Sequence, residues 1–147
     1  MGIIDIFVIA FLLFLSFLGN GVAQAKEKLV LFGGGAFAQQ GITQFMSWAG
    51  GHEAKILILP WASSNLDESY QSSQELFSPY KPAQIERGFA YDENGFNEKQ
   101  LLNQIETATG IYFPGGDQND HMARINANPE IRKRLLKVYH RGTVFAG

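Results

Sequence analysis

Cysteine is absent from the 147-residue sequence. Its absence excludes disulfide bonds and thiolate metal ligands, and it removes the usual indication of redox compartment. An excess of basic charge is also missing, because 12 Lys and Arg residues face 14 Asp and Glu residues, a net charge of −2. The chain therefore has no basic face for nucleic acid. The 12 Phe and 16 Gly residues instead indicate a single globular domain whose packed core is joined by tight turns.

The first 25 residues form a separate segment. Residues 6–18 read IFVIAFLLFLSFL, which is too short for a spanning helix of ~20 residues but suits the apolar region of a secretory signal. Ala23 and Ala25 supply the small residues of a cleavage site. We predict a signal peptide over 1–25, cleavage after Ala25, a secreted or periplasmic location and no stable membrane anchor. Because Asp5 stands where Lys or Arg is usual, an uncleaved anchor or a wrongly assigned start remains the alternative.

Beyond residue 25, apolar runs of strand length alternate with helical patterns. The predicted strands are 28–32, 55–60, 83–90, 111–113 and 143–147. The predicted helices are 40–49, 66–80, 98–108, 119–125 and 130–140. Gly110 is predicted to stop the helix 98–108, which precedes the fourth strand. This alternation predicts an α/β fold, a doubly wound and mostly parallel sheet of the flavodoxin-like type, over residues 26–147. Charges alternate through 83–90, which favours a sheet edge.

The loops after the first two predicted strands contain weaker indications of a ligand-binding site. Gly33, Gly34 and Gly35 follow the first strand, but they do not complete G-x-G-x-x-G, and no acidic residue stands about twenty positions further on. We therefore predict a close contact between strand and loop, with no cofactor and no metal. The small polar residues of 61–65 either line a pocket or cap the next helix at Ser64 or Asn65.

The most distinctive stretch is 111–118, which reads IYFPGGDQ. Adjacent Gly115 and Gly116 allow positive φ and let backbone N–H groups approach a ligand. Asp117 and Gln118 follow at the carboxyl end of a strand, where open α/β sheets bind their ligands. The alternative is an ordinary turn in which Asp117 caps the next helix.

These motifs together resemble cyanophycinase, a serine peptidase family related to aspartyl dipeptidase and, in fold, to class I glutamine amidotransferases. The resemblance covers 28–147 and rests on GGG after the first strand, on 58–63 (ILPWAS), on 113–118 (FPGGDQ) and on 142–147 (GTVFAG). It implies that Gly147 is the first glycine of a G-x-S-x-G nucleophile elbow, with the serine two residues further on. A strand that stopped there would expose its edge, so we expect a C-terminally truncated hydrolase domain.

The resemblance also implies roles for residues within the chain. Gly115 and Gly116 would supply backbone N–H groups to an oxyanion hole, Gln118 would bind substrate, and Asp117 would brace the loop beside it. No catalytic residue is expected before Gly147. The chain has three histidines, His52, His121 and His140, and none of them corresponds to the family's catalytic histidine. We expect the 147-residue chain by itself to show neither peptidase activity nor cooperative unfolding.

The function implied by the resemblance is an exported serine hydrolase that cuts β-linked aspartyl-arginine polymer to dipeptides, as a monomer or a homodimer. One alternative is an aspartyl dipeptidase, which Asn in place of Asp117 would have favoured. The other is a non-catalytic, amidotransferase-like module that binds a small ligand at the same strand ends.

Overall fold

The computed structural model describes residues 27–33, 39–89 and 97–147. The strands of this part are β1 (Lys28–Val30), β2 (Lys55–Ile58), β3 (Gln84–Arg87), β4 (Gly110–Tyr112) and β5 (Val144–Ala146). The helices are α1 (Gln39–Ala49), α2 (Leu66–Phe77), α3 (Glu98–Thr107), α4 (Gln118–Ala127) and α5 (Pro129–Arg141), with 3-10 turns at Gly51–Glu53 and Ser78–Tyr80. The predicted signal peptide, Gly34 and Gly35 lie outside the described residues. None of the helices in the described part is long and apolar enough to cross a membrane.

All neighbouring strands of the sheet are parallel, in the order β1-β5-β4-β2-β3. The first two crossovers run toward β3 with α1 and α2 on one face, and the next two run back with α3 and α5 on the other. The second pair of crossovers reverses both its direction across the sheet and the face that it covers, so all the crossovers keep the same handedness. The predicted doubly wound α/β fold is confirmed, and β3 lies at an edge as its charges indicated. The chain reverses between β2 and β4, and such a switch point is where open sheets bind ligands.

Each face of the sheet buries its own apolar cluster. Along β2, Ile56 and Ile58 join the cluster under α1 and α2, whereas Leu57 joins the cluster under α3 and α5. A strand covered on both faces needs apolar residues at consecutive positions, which explains the unbroken apolar run from which β2 was predicted.

Gly110 has a different role from the one predicted. Helix α3 ends at Thr107, and Gly110 is the first residue of β4 rather than a helix stop. A Cβ at this position would lie 2.8 Å from Cζ of Phe45 and 3.0 Å from Cδ1 of Ile56. Glycine is therefore required because α1 packs directly onto the backbone of β4.

Candidate functional site at the carboxyl edge of the sheet

The Gly115–Gly116 turn lies against the loop that follows β2. Gly116 has φ +153°, and a Cβ there would lie 2.0 Å from the carbonyl oxygen of Ala62. The next residue, Asp117, donates its backbone N–H to the same oxygen at 2.7 Å. Only Gly116 needs to be glycine, since a Cβ on Gly115 would meet nothing within 4 Å. The turn is thus held in close contact with the β2 loop at the switch point of the sheet.

Two backbone donors in this turn have no partner among the described residues. Within the described part of the chain, nothing accepts a hydrogen bond from the N–H of Gly115 or of Gly116, and both residues are exposed. The N–H of Asp117 is already used by Ala62. Fixed, unpaired N–H groups can stabilise negative charge on a ligand because they need no reorganisation to do so.

The last residue of the chain lies beside the same turn. Phe113 donates its N–H to the carbonyl oxygen of Ala146 at 2.8 Å, and a Cβ on Gly147 would lie 2.7 Å from the carbonyl oxygen of Phe113. Gly147 also pairs with the end of β1, because Phe32 donates its N–H to the Gly147 carbonyl at 2.8 Å. Gly115 follows Phe113 by two residues, a span of at most about 7 Å. The carboxyl ends of β1, β5 and β4 therefore converge next to the turn.

Asp117 and Gln118 occupy different positions at the start of α4. Asp117 is the N-cap residue, and its Oδ1 accepts the N–H of Asn119 at 2.7 Å. Gln118 is the first helical residue, and its exposed side chain has no hydrogen-bond partner among the described residues. The capping bond engages the Asp117 carboxylate in local structure, whereas the Gln118 amide is available to a ligand. The substrate-binding roles of both residues remain predictions.

His121 is more enclosed than its sequence neighbourhood suggested. Its ring meets Phe113 edge-on at 5.1 Å between centroids and lies 6.1 Å from the Trp61 ring. Nδ1 is buried and has no partner in the described region. Burial lowers the pKa of His121, and the charge of Arg124 lowers it further. The residues next to His121 in the sequence do not indicate this environment, because Trp61 comes from a loop sixty residues earlier in the chain.

The other two histidines are exposed and lie in local contacts. His52 places Nδ1 3.3 Å from the carbonyl oxygen of Lys81, and His140 places Nδ1 2.6 Å from Oε1 of Glu27. The described residues contain no cluster of three or more His, Asp or Glu side chains that could hold a metal ion.

Polar residues of the β2 loop are used in local structure. Ser63 donates its hydroxyl to the Asn65 carbonyl at 2.9 Å, and Asn65 caps α2 by accepting the N–H of Glu68 at 3.2 Å. Asn65 is thus the cap that the sequence offered as one alternative for this loop. Ser63 is held in that turn and is not paired with a histidine.

The fold and the site together define an α/β protein with a doubly wound parallel sheet and a glycine turn at its carboxyl edge. The sequence is similar to two proteins named cyanophycinase, from Synechococcus elongatus and Thermosynechococcus vestitus, each 25% identical over 109 residues. Each match covers 74% of this chain and 34% of the relative, so the chain spans about a third of the length of these curated relatives. No family model matches the sequence.

A solved structure supports the fold. The chain is similar to a peptidase from an acI-B1 Actinobacterium, with a TM-score of 0.64 and 19% sequence identity. The match covers 81% of this chain and 52% of that one. At this identity the likeness establishes the architecture and leaves the chemistry to the residues of the site.

Proposed function

We propose that this chain is the amino-terminal part of an exported, cyanophycinase-like serine peptidase. In this proposal a serine beyond Gly147 attacks a β-linked aspartyl-arginine bond, and a histidine further along the chain accepts its proton. The N–H groups of Gly115 and Gly116 then hydrogen-bond the oxygen that becomes negative in the tetrahedral intermediate. Gln118 would bind the substrate's peptide or carboxylate group through its free amide.

The observation that carries the proposal is the position of the glycine turn. Its two N–H groups, which lack a partner in the described part of the chain, belong to a backbone that is fixed on Ala62 and follows closely on Phe113, the residue in contact with Gly147. An attacking group just past Gly147 would be separated from those donors by a distance that a few residues can span. Similarity to two cyanophycinases supports the choice of substrate class.

The turn can be tested with a matched pair of substitutions in the polypeptide encoded by the full reading frame that contains this chain. Gly116→Ala places a methyl group 2.0 Å from the Ala62 oxygen, whereas Gly115→Ala meets nothing within 4 Å. We expect Gly116→Ala to lower kcat for dipeptide release from aspartyl-arginine polymer by roughly 10²–10³, as loss of an oxyanion-hole donor does. Gly115→Ala should retain activity within about tenfold of the unsubstituted protein.

Equal activity of the two variants would contradict an oxyanion role for the turn. A serine-directed fluorophosphonate should label the full-length protein and should not label the 147-residue chain. Failure to label the full-length protein, with no dipeptide released, would reject the serine peptidase assignment.

A non-catalytic binding module is the second candidate, and one observation favours it. The Gln118 amide stands at the N-terminus of α4 beside the N–H groups of Gly115 and Gly116, and none of these groups has a partner within 27–33, 39–89 and 97–147. This arrangement suits an anionic ligand without any nucleophile. Binding of aspartyl-arginine dipeptide by calorimetry, without hydrolysis or labelling, would support this candidate over the peptidase.

A further inference from the structure

We propose that His121 is a positioning residue, which holds the Gly115–Gly116 turn against the β2 loop through an uncharged imidazole ring. Its effect on the turn can be measured without substrate. Only its importance for catalysis rests on the proposed function.

The ring of His121 lies beside an aromatic residue of each of the two segments that meet at the turn, the β2 loop and the end of β4. On one side it lies against Phe113, two residues before Gly115, and on the other against Trp61, the residue before Ala62. Trp61 is itself fixed, since it is 1% exposed and donates Nε1–H to the carbonyl oxygen of Gly88 at 3.0 Å. The imidazole therefore packs between an anchored loop and the strand end that leads into the turn.

His121 is also connected to the turn through the backbone of α4. Its N–H donates to the carbonyl oxygen of Asp117 at 3.2 Å, and the N–H of Asp117 donates to Ala62. A displacement of the ring would move the first turn of α4, and with it the bond from Asp117 to Ala62. Gly116, which is in contact with Ala62, would move as well.

A positive charge on the ring would oppose this packing. Protonated imidazole carries N–H on both nitrogens, and a buried Nδ1–H without an acceptor would cost free energy. Arg124 on the same helix is a repulsive neighbour, and Arg132 of α5 lines a surface groove together with His121. The acids of α4 nearest in sequence are Asp117, whose carboxylate caps the helix, and the exposed Asp120. Phe113 and Trp61 bring no charge.

The test is a ¹⁵N and ¹³C NMR titration, between pH 7.5 and 5, of the full-length protein encoded by the reading frame that contains this chain, and of two variants of it. In the unsubstituted protein we expect the amide signals of Gly115, Gly116 and Asp117 to shift along a one-proton curve. Its midpoint should equal that of the His121 ring and lie below 6.5, the ordinary histidine value. His121→Phe keeps an aromatic ring but cannot be protonated, so it should keep the turn's spectrum at pH 7.5 and lose its response to pH.

His140→Gln is the matched control, because it removes an exposed histidine that pairs with Glu27 away from the turn. It should leave the titration of the turn unchanged. The proposal is overturned if the ring of His121 titrates while the turn amides do not, or if His121→Phe retains their response. If His121→Phe does not fold, comparison of the unsubstituted protein with His140→Gln decides. Because no substrate is used, failure here leaves the peptidase test untouched, and loss of peptidase activity leaves this result standing.

Discussion

Tyr112 ends β4 beneath α1 and α2, next to the strand end that leads to the glycine turn. Its ring packs edge-on against Phe77 at 5.0 Å, and burial raises its pKa to about 12. A phenol whose folded-state pKa exceeds its ordinary value of 10 favours folding below pH 10, and that contribution is lost as the pH rises toward 12. In an alkaline absorbance titration of tyrosinate, the last step should therefore lie near pH 12.

The assignment of that step to Tyr112 can be checked by substitution. Tyr112→Phe should remove it, whereas Tyr139→Phe should leave it in place. Burial also raises the pKa of Tyr70, so Tyr70 should ionise above the ordinary tyrosine value in all three proteins. Ionisation of Tyr112 together with the earliest tyrosines would show that its environment is open to water.

At the scale of the secondary-structure element, substitutions can distinguish two roles of Asp117, as a helix cap and as a charged group that binds substrate. Asn caps a helix about as well as Asp, whereas Ala removes the cap at a cost of about 1 kcal/mol. If Asp117 acts only through its bond to the N–H of Asn119, Asp117→Asn should match the unsubstituted full-length protein in KM and kcat, and Asp117→Ala should be less stable to urea. A rise in KM in Asp117→Asn would instead show that the carboxylate binds substrate.

Helix boundaries followed from local residues to a large extent. Asn97 and Asn65 cap α3 and α2, and Gly142, with φ +104°, ends α5, because capping depends on a few neighbouring atoms. The location of the site at the carboxyl ends of the strands also followed from the motif, since parallel sheets bring those ends together. The role of Gly110 was predicted wrongly, and the enclosed environment of His121 was not predicted, because the surroundings of both residues come from distant parts of the chain. Phe45 of α1 packs against Gly110, and Trp61 of the β2 loop lies beside the ring of His121.

At the scale of the whole molecule, β1 forms one edge of the sheet that the described residues build. In the part of the chain that the structure describes, β1 pairs only with β5. Leu29 of β1 is 50% exposed, Leu31 just beyond β1 is 76% exposed, and Leu136 of α5 is 49% exposed. Leu29 and Leu136 also line a groove of about 410 Å³. An open strand edge flanked by apolar side chains favours association between chains.

We therefore expect residues 26–147 to associate as their concentration rises, and we expect Leu31→Lys to weaken that association because a lysine at a sheet edge opposes edge-to-edge pairing. Size-exclusion chromatography with light scattering measures both effects. Trp48→Lys is the control, since Trp48 is 41% exposed but belongs to α1 and not to the edge strand. If Trp48→Lys reduced the apparent mass and Leu31→Lys did not, the contact would lie on the α1 face, and the open edge of β1 would have no part in it.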